Sequence, residues 1–147
     1  MYKNILVPTD GSPLSRVAAE KAVRLAKITG AKITAFFAAP APTPMIYKGL
    51  MPVGFTTTTA HKAMAEKAAA QHLGYIEKLA NKAGVPFKSM HCTDDYPASA
   101  ILAAAKKEKC DLIYMASHGQ TGFRTTLLGS QTTKVLAGSP IPVLVHR

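Results

Sequence analysis

The sequence predicts an α/β fold: an open parallel sheet of five strands with helices over both faces. Three observations carry that reading. Short apolar runs alternate along the chain with longer amphipathic ones. The helical segments begin near a proline or hydroxyl residue, and several close on glycine. The 147 residues, 48% of them hydrophobic, suit one domain over 1–147 with enough apolar material for its own core.

The first element is the buried-strand candidate "NILVPT". "DGSPLSRVAAEKAVRLAKITG" follows as a helix, with Ser12 as N-cap, Pro13 at its first position and Gly30 as its stop. Its apolar stripe is expected to be Leu14, Ala18, Ala22 and Leu25, opposite Arg16, Glu20, Arg24 and Lys27. "AKITAFF" is the second strand. Residues 40–59 are rich in proline, glycine and threonine and long for a connection, so they read as a mobile loop or lid. A long helix runs from Ala60 to Gly84, with Pro86 beyond to prevent its continuation. "VPFKSMHC" is a weaker strand whose proline and polar residues suit a sheet edge. A helix from about Pro97, the strand "CDLIYMAS", the helix "SQTTKVLAG" and the strand "IPVLVHR" complete the chain.

Composition narrows the function classes. The net charge of +10 is strongly basic, yet the lysines and arginines are scattered over helix faces and aromatic residues are few. That distribution suits a solvated surface and gives no specific nucleic-acid motif. The first residues, "MYKNILVPTD", hold too short an apolar run for a secretory or membrane segment, so the expectation is a cytoplasmic protein without membrane association. Cys92 and Cys110 form neither a CxxC pair nor a metal spacing, which suits free, buried thiols in a reducing compartment.

In open α/β sheets, ligands bind beyond the carboxyl ends of strands where the strand order reverses. "PTDGS" ends the first strand and "ASHG" the fourth. If those strands are neighbours, Pro8, Thr9, Asp10 and Gly11 face Ser117, His118 and Gly119 across one crevice. The stretch "ASHGQTGFRTTLLGS", 116–130, adds glycines that permit close backbone approach, and a helix start whose amides suit phosphate. The same glycines suit plain turns and caps.

Those residues resemble the universal stress protein family, nucleotide-binding type. The likeness spans the chain through "NILVPTDGS", "KCDLIYMASHGQTG", "LLGSQTTKVL" and "IPVLVHR". It implies a Rossmann-like, adenine nucleotide alpha hydrolase-like sheet in the order 3-2-1-4-5, and a homodimer through the C-terminal strand. The family's phosphate motif is Gly, two residues, Gly, nine residues, then Gly and Ser or Thr. Here Ala116 replaces the first glycine, Gly119 is the second and Gly129-Ser130 is the closing pair, with Gln131 next to it. The resemblance further implies that Pro8, Thr9 and Asp10 lie beside base and ribose, and that Ala38 stands where a valine often flanks adenine. Asp10 equally suits a helix cap or turn. The implied ligand is ATP, ADP or AMP with magnesium, held by a stress-response sensor or adaptor; the alternative is a dimeric interaction protein with a vestigial site.

Other chemistries lack their parts. No GxxxxGK[ST] loop is present, so fast ATP hydrolysis is not expected. His61 and His72 are eleven residues apart and share a helix face. A rise of ~1.5 Å per residue separates them by roughly 16 Å, too far for one metal. His118 lies in the expected crevice without a recognisable triad, which suits a turn-positioning role. Arg124 is placed either toward phosphate or in solvent.

Overall fold

The computed structural model describes residues 1–41, 58–119 and 127–147. Five parallel strands form one sheet in the order β3-β2-β1-β4-β5, as the resemblance implies. The strands are β1 (Asn4–Pro8), β2 (Lys32–Ala39), β3 (Phe87–Thr93), β4 (Leu112–Ala116) and β5 (Val143–His146). Between them run α1 (Pro13–Thr29), α2 (Thr58–Ala83), α3 (Pro97–Lys107) and α4 (Ser130–Gly138). Most of the 40–59 loop, together with Gly122 and Arg124, lies outside the described residues.

Strand alternation divides the core in two. Ile5, Val7, Ile33, Phe37 and Tyr114 face α1 and α2. Leu6, Phe36, Ile113 and Met115 face α3 and α4, where Ile101 and Val135 cover them. On α1 the expected stripe packs on the core, with its most buried line shifted to smaller residues. Ser15, Ala18, Ala19, Ala22, Val23 and Ala26 are buried, while Leu14 and Leu25 are only half-buried at its margin. Small side chains sit at the centre because they let the helix approach the sheet closely.

Helix ends follow local chemistry. Ser12 is the N-cap of α1 and its Oγ accepts from the Ser15 amide at 3.2 Å, while Gly30 closes the helix at φ 73°. Gly84 ends α2 in the same left-handed region. After α3 it is Lys109 that takes positive φ, at 53°. β3 is a polar edge strand, as expected. β5 starts at Val143, two residues later than the run "IPVLVHR" suggests, because Pro142 has no amide for the ladder. Cys110 is buried and desolvation pushes its thiol up to about 11; Cys92 is half-buried and raised by burial and then by Asp94. No helix among the described residues is long and apolar enough to cross a membrane.

Candidate functional site

β1 pairs with β2 on one side and with β4 on the other, so the order reverses between β1 and β4. The turns leaving those two strands form the walls of a crevice.

The β1–α1 wall is a short turn whose polar groups bond one another. The Thr9 amide donates to the Phe36 carbonyl at 2.9 Å, continuing the ladder one residue past the strand. Thr9 Oγ1 accepts from the Gly11 amide at 3.1 Å and lies 3.2 Å from Ser15 Oγ. Asp10 Oδ1 accepts from the Ser12 amide at 2.9 Å. Gly11 has φ 78°, and a Cβ there would overlap the His72 imidazole, so glycine is required both for the turn and for the ring that lies on it.

The β4–α4 wall is built differently. Ala116 is the last residue of β4, pairs with His146, and is absent from the positive-φ residues, so its ordinary strand backbone does not require glycine. The Ser117 carbonyl accepts from the Gly129 amide at 2.7 Å and from Thr132 Oγ1 at 3.0 Å, drawing the start of α4 against the end of β4. Gly129 precedes α4 in extended conformation, and no side chain caps the helix. The first-turn amides of α4, at Ser130, Gln131 and Thr132, therefore have no partner in the helix itself.

Between the walls lies a cavity of about 680 Å³, within the usual range for small-molecule sites. Pro8, Thr9, Asp10, Ala38, Ala116, Gly119, Gly129, Ser130 and Gln131 all line it, whereas Gly11 and Ser117, which the sequence also places at the crevice, are not among its lining residues. Two of them are partly engaged. The Gly129 amide, which sequence reasoning assigns to phosphate, is taken by Ser117. Gln131 Oε1 accepts from the Ala98 amide at 3.2 Å and so caps α3, which leaves Gln131 its own amide and NH₂. Gly119 makes room for a carboxylate: a Cβ there would overlap Asp10 Oδ2.

The lining also includes residues that sequence reasoning passes over, chiefly Phe36, Phe37, His72 and Thr132. No lysine or arginine is among the described lining residues, and Asp10 is the one carboxylate there. Attraction for an anion would come from amides and from the positive end of α4. His118 lines the cavity; its Nδ1 lies 3.0 Å from the hydroxyl of the neighbouring Ser117, which is 3% exposed. His61 Nε2 contacts the Pro40 carbonyl at 2.8 Å, well separated in role from His72. Among the described residues no group of three histidine, cysteine or acidic side chains is placed to hold a metal.

A parallel five-stranded sheet with an uncapped helix N-terminus at its switch point defines a class of α/β proteins suited to anionic ligands. The model of the universal stress protein family matches residues 1–147, and the chain belongs to that family. A universal stress protein of Thermus aquaticus, encoded in a QAH/OAS sulfhydrylase 3' region, is 35% identical over 152 residues, covering 100% of each chain. Among solved structures, a universal stress protein in complex with cAMP superposes with TM-score 0.73 at 21% identity, covering 99% of this chain and 97% of that one. The universal stress protein of Archaeoglobus fulgidus in complex with dAMP gives 0.68 at 16% identity, covering 99% and 98%.

Proposed function

We propose that this protein is a stress-response sensor or adaptor that binds ATP, or its relatives ADP and AMP, in the crevice between β1 and β4. One observation carries the reading: nine residues drawn from three separate stretches of sequence line one cavity, and the open first turn of α4 lies at its edge. The Ser130 and Gln131 amides hold phosphate, and the Ser130 hydroxyl adds a donor. Pro8, Thr9 and Ala38 offer a largely apolar bed for the base, and Asp10 faces the ribose. Adenine nucleotides in two proteins of like fold support this choice of ligand. Magnesium, where present, is held by phosphate oxygens and water, since Asp10 supplies the one carboxylate among the described lining residues. Calorimetry with Mg-ATP, together with a melting curve, tests the reading. A ligand at 100 times its dissociation constant stabilises the folded state by ~2.7 kcal/mol, so a clear rise in Tm is expected. No heat and no rise at millimolar ATP would end it.

The cytoplasmic protein is further proposed to be a homodimer joined through β5. Val143 packs with the α3/α4 core, so the charge test belongs on Leu144, which alternates to the other side and is 38% exposed. Leu144→Lys is expected to shift light scattering at micromolar concentration from dimer to monomer with little loss of fold. A wild-type monomer under those conditions contradicts the arrangement.

A further inference from the structure

The sheet-facing stripe of α2 is made of small and aliphatic residues: Ala69, Leu73, Ile76 and Ala80 are all buried. His72 interrupts it. Its ring lies on Gly11 so closely that any Cβ at that position would overlap it, and it meets Phe37 edge-on, with centroids 5.3 Å apart at 61°. Among the described residues, His72 Nδ1 is the one buried side-chain nitrogen or oxygen without a hydrogen-bond partner. Such atoms are uncommon in folded proteins, and an alanine or leucine would fill this stripe at no polar cost. The residue also lines the cavity.

The two ring nitrogens are thus unequal. An orphaned buried N–H is rarer than an under-satisfied acceptor, so the proton belongs on Nε2 and the lone pair on Nδ1. His72 touches Phe37 of β2 and the turn after β1, whereas α4 and its open amides follow β4 on the other side of β1. The histidine therefore stands with the nucleoside end of the cavity, away from the phosphate end.

We propose that His72 is a ligand-recognition residue, its Nε2–H donating to an acceptor on the nucleoside portion of the bound nucleotide, a ribose oxygen or an unprotonated base nitrogen. This rests on the nucleotide reading above and deepens it: His72 reads the nucleoside portion of the ligand, while the α4 amides take the phosphates. Gly11 then has a role of its own, since only glycine admits the ring to this place.

The test is calorimetry on the full chain with three probes, Mg-ATP, adenosine and inorganic tripolyphosphate, for wild type, His72→Leu and His72→Gln. His72→Leu removes the donor and keeps bulk; it is expected to weaken ATP and adenosine about five- to tenfold and to leave tripolyphosphate unchanged. His72→Gln, which carries a donor to nearly the same place, is expected to stay within about twofold of wild type. The ligand-free Tm of His72→Leu should be unchanged or raised, because a buried unpaired nitrogen has been removed; a purely structural histidine would give a fall. Should His72→Leu not fold, imidazole ¹⁵N spectra of the wild type decide, with the His72 signal assigned by its loss in His72→Gln. An Nε2–H tautomer whose resonances move on adding adenosine supports the proposal, and a signal that does not move overturns it. Equal binding of ATP and adenosine by His72→Leu and wild type, or an equal loss of all three probes, overturns it while leaving the nucleotide reading intact. A wild type that binds no probe removes both.

Discussion

The two walls of the crevice use their polar groups in opposite ways. In the β1–α1 turn the Thr9 hydroxyl, the Asp10 carboxylate and the Ser12 hydroxyl all accept bonds from amides of that turn or of the helix it starts. At the β4–α4 wall the bonds fasten Ser117 to Gly129 and Thr132, while the first amides of α4 are left over. One wall spends its polar groups within its own turn. The other is docked to the strand end and leaves the first amides of α4 without a partner in the helix. Both depend on a glycine, and the two glycines do different work: Gly11 is fixed by its φ of 78°, Gly129 by its closeness to Ser117 and His118.

Substitution at the two glycines should separate these causes, and it carries the largest expected effect. Gly11→Ala places a side chain in the left-handed region, which costs ~1–2 kcal/mol, and displaces the His72 ring as well. A loss of about 2–4 kcal/mol in urea unfolding is expected. Gly129→Ala has no such φ cost: its Cβ would stand 3.0 Å from the Ser117 carbonyl oxygen and 3.1 Å from His118 Cα, both backbone atoms. About 1 kcal/mol is expected there. Equal losses would mean that the two turns are strained alike and the contrast fails. A bulkier Gly129→Val would overlap backbone before it met any ligand, so lost ATP binding in that variant reports folding of the wall and not phosphate crowding.

The next effect in size tests whether the first wall stabilises itself. Ser12 is 4% exposed and its hydroxyl caps α1. Ser12→Ala should lower stability by about 1–2 kcal/mol, near the upper end for a lost N-cap because the hydroxyl is buried. Heat capacity scans of the ligand-free protein measure it. A change below about 0.3 kcal/mol would show that the Asp10 bond to the Ser12 amide already holds the turn unaided.

This contrast explains how far the sequence could be read. Ser12, Pro13 and Gly30 announce α1 because caps act within a few residues, and Pro86 and Gly84 end α2 for the same reason. Sheet order does not follow from local signals; the family resemblance implies it, and β1 lies beside β4 accordingly. The lining residues were legible through those blocks, yet what their atoms do was not. The Gly129 amide and the Gln131 carboxamide are engaged across the fold, with Ser117 and Ala98, contacts that no spacing encodes. His72 carries no motif, and its spacing from His61 rules out only a shared metal. The available signal is the position of His72 between Ala69 and Ile76, beside Leu73, in an otherwise small and aliphatic part of the stripe.

The smallest expected effect concerns Ala116, where this chain departs from the family's glycine. A glycine is needed where φ is positive or where a methyl group blocks approach. Ala116 does not meet the first condition. It is the final residue of β4, paired with His146, and its carbonyl accepts from Thr132 Oγ1 at 3.0 Å, which holds the backbone in place. The residue is 8% exposed and belongs to the α1/α2 core, and it also borders the cavity. Ala116→Gly should therefore cost about 0.5–1 kcal/mol of stability, from strand entropy and the lost methyl contacts, and change ATP affinity by less than about threefold. Urea unfolding and calorimetry on one preparation separate the two quantities. A variant that binds tightly where the parent binds nothing would mean that the methyl group closes the crevice, and the natural protein would then act through its surfaces with the site vestigial. A variant with lower stability and similar affinity would place the difference between the two walls where the geometry has it: the second wall needs glycine at Gly119 and Gly129, where other groups press close, and tolerates a side chain at the strand end between them and the core.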